Sequence, residues 1–203
     1  VIKPSLLLLD EPLSNLDAKL REEMQAELRQ IQRSVGTTTV LVTHDQHEAM
    51  ALSDRIVVMN QGRVEQIGAP DAVYGNPASA FVAHFLGKTN ILTATGDGKG
   101  TVAIEGLSLP LTGAPAGAVR LAVRPERVVL APPQVSGFSA RIKSRIFQGA
   151  HWLLTAESVA GPLTIIRHND GQPVPSEGEA VRLAFTAADI SLLPMTESGT
   201  EPA

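Results

Sequence analysis

The chain has 203 residues, 43% hydrophobic and 19% charged, which supplies apolar material for one or two buried cores and excludes a disordered chain. It contains no cysteine, which excludes disulfides, thiolate metal sites and a cysteine nucleophile. Seventeen Lys and Arg against twenty-one Asp and Glu leave a net charge of −4, and the aromatics are only five Phe, Trp152 and Tyr74, so neither a general nucleic-acid surface nor a base-stacking platform is expected.

No apolar run approaches the roughly 18 residues that a spanning helix needs. Val1 leads at once into a buried-strand pattern with no start methionine, signal peptide or cap, so the chain reads as a piece of a longer protein. Leu6 to Leu9 is a short apolar run ended by Asp10-Glu11-Pro12, which predicts a strand buried on both faces. Ser14-Asn15-Leu16-Asp17 then supplies N-cap chemistry. Leu16, Leu20, Met24, Leu28, Ile31 and Val35 recur at spacings of 4, 4, 4, 3 and 4, one apolar helical stripe expected to be core, with Lys19, Arg21, Glu22, Glu23, Arg29 and Arg33 on the wet side. Gly36 stops that helix, and Thr37 to Thr43 is a β-branched second strand. Strand, helix and strand in this order predict a parallel βαβ unit.

A short helix over His47 to Leu52 follows, then a hairpin of 55–59 and 63–67 around Asn60-Gln61-Gly62. Residues 70–86 predict a turn at Gly75-Asn76-Pro77 and two short helices. After Gly87 the texture changes: short apolar stretches at 90–95, 101–105, 118–124, 138–147, 151–157, 163–167 and 179–185 alternate with Gly and Pro clusters, which predicts a small all-β barrel or sandwich. The expected division is 1–86 and 87–203, with a frayed polar tail after Pro194. Residues 1–86 carry seven Lys and Arg against eleven Asp and Glu, so the whole net charge lies in the first part.

The chemistry concentrates at one sheet edge. Asp10 and Glu11 are delivered by a buried strand at its C-terminal end, where ligands of open α/β sheets bind. Asp10 there suits a magnesium ion, which takes a few carboxylates plus phosphate oxygens. Glu11 suits orienting or deprotonating a water, and His44 at the end of the second strand suits a transferring phosphoryl group. The bland reading of Asp10 and Glu11 is a solvated strand-end turn. His44 and His47 could be read as a metal pair, but no third ligand is near in sequence. Arg141, Lys143 and Arg145 alternate on one strand face, either solvated or as an anion or partner site. Arg124-Pro125-Glu126 is either a strand exit with a surface ion pair or part of a family motif, and Trp152 reads as barrel core.

In this order these residues resemble the nucleotide-binding subunit of ATP-binding-cassette (ABC) transporters. Leu6 to Pro12 (LLLLDEP) resembles the Walker B strand with its catalytic glutamate, Ser14 to Asp17 (SNLD) the D-loop, and Val42 to Gln46 (VTHDQ) the switch-histidine segment. Phe81-Val82-Ala83, Phe85-Leu86-Gly87, Asn90 and Val123-Arg124-Pro125-Glu126 are similar to the accessory region of bacterial importer ATPases, an OB-like TOBE domain. The resemblance implies an α/β class for 1–86, the C-terminal part of a P-loop NTPase-like domain, followed by an all-β OB-like barrel over 87–203. It implies an ATP-hydrolysing motor for a solute importer, with ATP and Mg²⁺ as cofactors. Glu11 and His44 would be catalytic, Asp10 would serve Mg²⁺ and nucleotide, and Ser14, Asn15 and Asp17 would contact nucleotide across a dimer. Its partners would be a second ATPase subunit, transmembrane permeases and, indirectly, a solute-binding protein, at the cytoplasmic face of the inner membrane.

The sequence departs from the family pattern in lacking a G-x-x-x-x-G-K-S/T phosphate loop, a glycine-rich signature and an upstream glutamine loop. The family places all three before Walker B, so truncation accounts for them together and the chain alone is expected to be inactive. His47 stands where the family more often has an acidic residue. The alternative reading, of a different class, is a stand-alone small-ligand-binding or regulatory module.

Overall fold

A computed structural model describes residues 4–132 and 134–194. The chain divides into two compact units, Val1–Asn76 and Pro77–Ala203. The polar tail expected after Pro194 lies outside the described residues.

In the first unit, β1 (Leu6–Asp10) and β2 (Thr38–Val42) run parallel, with Leu6 opposite Thr38 and Asp10 opposite Val42. Parallel neighbours need a crossover, and α1 (Ala18–Val35) supplies it. Asp17 caps α1 through Oδ1, which accepts the Leu20 N–H at 3.0 Å. Gly36 ends the helix at φ 67, its N–H bonded to the Gln32 carbonyl, a left-handed conformation that glycine enters without a Cβ penalty. Then come α2 (Gln46–Leu52) and the antiparallel pair β3 (Ile56–Asn60) and β4 (Arg63–Gly68). Gln61 and Gly62 both take positive φ, 48 and 75, the turn geometry that matches strand twist in tight hairpins. The unit closes with α3 (Pro70–Gly75).

Two burial expectations for this unit are overturned. Leu6, Leu7 and Leu8 are 52%, 40% and 65% exposed, so β1 is not buried on both faces. α1 buries no residue, and Ile31 and Val35 are exposed, so its apolar stripe is not core. Caps, spacing and ladder bonds are local and place the elements where the sequence predicts. Burial needs covering layers, and a sheet of two strands supplies neither a second neighbour nor a closed face.

The second unit is mostly β. It opens with α4 (Ala80–Phe85), capped by the Ser79 hydroxyl, and continues with β5 (Asn90–Asp97), β6 (Thr101–Ile104), β7 (Leu107–Pro110) and β8 (Ala116–Val123). A 3₁₀ turn at Pro125–Arg127 leads to β9 (Val129–Leu130), β10 (Phe138–Phe147), β11 (His151–Ser158), β12 (Gly161–His168), β13 (Ala180–Ala184) and, after a second such turn, β14 (Ile190–Leu193). The strands form two five-stranded antiparallel sheets in the orders β12-β11-β10-β13-β9 and β14-β8-β5-β6-β7, consistent with an OB-like accessory domain. Residues alternate in and out along β5, and Leu92, Leu121, Phe138, Ile142, Leu154, Ile165 and Leu183 meet in one core.

The compact units divide before the 86/87 change of texture because α4 packs with the strands. Ala83, Ala122 and Leu193 form a small buried cluster, and Arg124 Nη1 donates to the carbonyls of Ala83, Gly87 and Lys88 at 2.8, 3.3 and 3.3 Å. Arg124 is therefore a buried backbone clamp and not a surface side chain. Trp152 sits at the margin of the core and not inside it, its ring 4.8 Å from Phe147 with the Arg145 guanidinium 5.5 Å above. A bulge between Ile142 and Ser144 breaks the regular alternation of the three cations. Arg141 donates to the Gly178 carbonyl, Lys143 pairs with Glu157 at 2.8 Å, and Arg145 reaches the Val174 carbonyl. These partners favour the reading of a surface satisfied within the chain.

Candidate functional site: a carboxylate and an imidazole at one sheet edge

The ladder between β1 and β2 continues one step past β1, where the Glu11 N–H bonds the Val42 carbonyl at 2.8 Å. Glu11 then turns sharply, at φ 46, a backbone state that a non-glycine residue seldom adopts and that clusters at functional sites. Its carbonyl holds the turn, accepting the Ser14 N–H at 3.3 Å and the Ser14 hydroxyl at 3.0 Å. Its side chain is thereby brought to His44, and Nδ1 of His44 lies 2.8 Å from Oε1 of Glu11 across thirty-three residues of sequence. The hydrogen bond and charge of Glu11 raise the His44 imidazole above its ordinary 6.5 against a desolvation that lowers it, with smaller upward contributions from Asp45 and Glu48.

The segment carrying His44 is fixed on its other side. Asp45 caps α2, its Oδ1 accepting the N–H groups of His47 and Glu48 at 2.8 and 3.1 Å. Partial burial pushes the Asp45 carboxyl up, and those two N–H bonds together with the Arg21 charge outweigh it and hold the carboxyl below its usual range. The Asp45 N–H donates to the Thr43 hydroxyl at 3.0 Å, and that hydroxyl donates to Oε2 of Glu48. Glu48 is 2% exposed, and its Oε1 has no hydrogen-bond partner among the described residues. Nothing in the sequence assigns Glu48 a role of its own; a buried carboxylate three residues after a capping Asp reads from sequence as an ordinary first-turn acid.

The other residues proposed from sequence stand as follows. Asp10 is exposed at the end of β1, one residue before the pair. The Ser14 hydroxyl is engaged by the Glu11 carbonyl, Asn15 is exposed, and Asp17 is committed to capping α1. The structure thus brings Glu11 and His44 into contact, and places Ser14 and Asp17 in the loop that supports them. His47 is exposed in the first turn of α2. Among the described residues no group of three or more His, Cys, Asp or Glu could hold a metal ion by itself, so the His44–His47 metal pair gains no support.

Comparison with known proteins shows what the chain is similar to. Residues 121–193 match the TOBE domain model. The chain is 40% identical over 199 residues to the Fe(3+) ions import ATP-binding protein FbpC of Rhizobium etli, covering 95% of this chain and 56% of that protein. It is 48% identical over 160 residues to the spermidine/putrescine import ATP-binding protein PotA of Borreliella afzelii, covering 77% of this chain and 46% of that one. This chain is homologous to the ATP-binding subunits of ABC importers. It spans about half the length of the curated relatives it matches. A solved structure of the cytoplasmic molybdate-binding protein ModG also aligns, at 14% identity and a TM-score of 0.41, over 52% of this chain and 96% of that one. The TOBE match begins within β8, so β5, β6 and β7, which complete the same sheet, precede the matched residues.

Proposed function

We propose that the parent protein is the ATP-hydrolysing motor subunit of an ABC importer, and that this chain supplies its hydrolytic carboxylate, its phosphate-facing histidine and its accessory domain. The observation that supports it is the 2.8 Å contact between Glu11 and His44 at the end of two adjacent parallel strands, next to the exposed carboxylate of Asp10. With Oε1 held by the imidazole, Oε2 of Glu11 is the oxygen left to take a proton from an attacking water. Nδ1 of His44 faces Glu11, so Nε2 is the nitrogen available to donate to a phosphate oxygen. On this reading residues 1–86 are the end of an α/β P-loop nucleotide-binding domain and 87–203 the OB-like accessory domain.

The donor chemistry fits Mg²⁺ shared with ATP and does not fit an all-protein metal cage, since Asp10 offers one exposed carboxylate and no three-ligand cluster occurs among the described residues. Bound beside Asp10, the ion would neutralise charge on the phosphate oxygens. Ser14, Asn15 and Asp17 would face the nucleotide of a second copy, and permease subunits with a solute-binding protein would complete the importer at the cytoplasmic face of the inner membrane. Among the described residues no helix is long and apolar enough to cross a membrane, so anchoring would come from those partners. The relatives are named for different cargo, iron in one and spermidine/putrescine in another, so the shared property is ATP-driven import and not one solute.

Glu11→Gln in the complete subunit tests the reading. Turnover should fall about 10²–10⁴-fold while ATP binding persists, the range expected for a lost general base. Unchanged turnover would refute it.

A further inference from the structure

The wet face of α1, read from sequence as solvated, grips α2 at both ends. Arg21 Nη1 meets Oδ2 of Asp45, the α2 cap, at 3.2 Å, while its Nη2 donates to the Leu16 carbonyl at 3.0 Å. Two turns further along, Arg29 Nη1 donates to the Leu52 carbonyl at the far end of α2 at 2.7 Å, and its Nη2 pairs with Asp54. The spacing matches: eight residues of α1 rise about 12 Å and a seven-residue helix spans about 10.5 Å. Of the two arginines, Arg21 is the one that touches both segments that matter for the chemistry, the loop after Glu11 and the segment after His44.

Resting on the motor reading above, we infer that Arg21 is a positioning residue for hydrolysis, which holds the Glu11–Asp17 loop and the His44 segment in register so that the carboxylate and imidazole meet. A guanidinium presents two nitrogens at a fixed angle, one for each segment, and lysine has a single ammonium that can serve only one. The rest of the brace is in place without it: Asp45 caps α2 through its other oxygen, and Thr43 is tied to Glu48. Losing Arg21 should therefore leave α2 intact and let the two segments drift, and misplacement on the ångström scale costs up to about 10²-fold in rate.

The test uses Arg21→Lys, Asp45→Asn and, as a matched structural control, Arg29→Lys. Asparagine retains the capping oxygen and loses the charge that Arg21 pairs with. In the 203-residue chain, the ¹⁵N resonances of the His44 imidazole at fixed pH report its contact with Glu11 directly, with Glu11→Gln giving the uncoupled position. Arg21→Lys and Asp45→Asn should move His44 toward that position, while Arg29→Lys, even if equally destabilising, should not. In the complete subunit the first two should lower kcat about 10–100-fold at unchanged KM. A His44 signal that stays put in folded Arg21→Lys and Asp45→Asn chains overturns the inference, as does an equal displacement by Arg29→Lys. If Glu11→Gln leaves turnover unchanged, the motor reading fails by itself, and the imidazole spectra still decide whether Arg21 sets the pair.

Discussion

Asn90 in β5 and Thr164 in β12 exchange two hydrogen bonds across seventy-four residues: Nδ2 donates to the Thr164 carbonyl at 2.8 Å, and the Thr164 N–H donates to Oδ1 at 2.6 Å. A buried side-chain amide thus stands in for a strand segment and joins the two sheets of the second unit. Asn90→Ala would leave a buried donor and acceptor unmet, at a cost of about 3 kcal/mol. Asn90→Asp keeps the acceptor and loses the donor, so it should fold poorly as well. Urea midpoints at unchanged m-value check both.

Gly96 is required by a close approach and not by its backbone angle. A Cβ there would lie 2.0 Å from the Pro115 carbonyl oxygen, whereas one at Gly75 would meet nothing within 4 Å. Gly96→Ala should therefore destabilise the chain by about 2–3 kcal/mol and Gly75→Ala by much less. Thermal melting of the two variants side by side distinguishes them.

The Glu11–His44 pair makes stability depend on pH with a definite sign. Its folded imidazole pKa is raised above 6.5, so the pair's contribution is fully present below that unfolded value and is lost as pH rises through the raised one. Asp45 acts at the other end: with its carboxyl held low, its contribution is present above the unfolded 3.8 and is lost as pH falls through the lower folded value. An NMR titration should place His44 above an ordinary histidine, and Glu11→Gln should return it toward 6.5. A wild-type His44 that titrates at the ordinary value would show that the contact does not form in solution.

Exposed Leu6, Leu8, Val40 and Val42 put apolar side chains on a two-stranded sheet with bare edges. The 203-residue chain should bind a hydrophobic dye and show a concentration-dependent mass by light scattering. Leu8→Lys with Val40→Lys should suppress both. A strictly monomeric chain without dye enhancement would count against this.

Calorimetric titration of the same chain with Mg-ATP should show no saturable heat, because the sequence has no phosphate loop to cradle the β- and γ-phosphates. Saturable micromolar binding would bring the small-ligand module forward.

Elements were more legible in the sequence than their surroundings. The β-branched run, the Asp17 cap and Gly36 encode α1 and β2 through neighbours a few residues away, and these form as expected. The three strands not predicted, Leu107–Pro110, Val129–Leu130 and Ile190–Leu193, are two to four residues long and take their identity from partners far along the chain. For the candidate site, the placement of Asp10, Glu11 and His44 at one sheet edge was readable because the motifs fall at the ends of adjacent strands. Arg21 was not: a cation on the polar face of an amphipathic helix looks solvated until the structure shows what lies across from it. Arg124 was hidden similarly, since its partners are backbone carbonyls that carry no signature in sequence.

β14 pairs with β8, setting Ile190 opposite Val123 and Leu193 opposite Arg120, so the order of strands in the sheet runs against the order of synthesis. A nascent chain that has just completed β8 presents an open rail of N–H and C=O groups, and its own covering strand is made only after the whole second sheet. Any message cut short before the codon for Ile190 would therefore yield more than a shortened protein. It would release a sheet with a vacant berth, ready to recruit the β14 of a neighbouring molecule and so to couple translation errors to entanglement between chains.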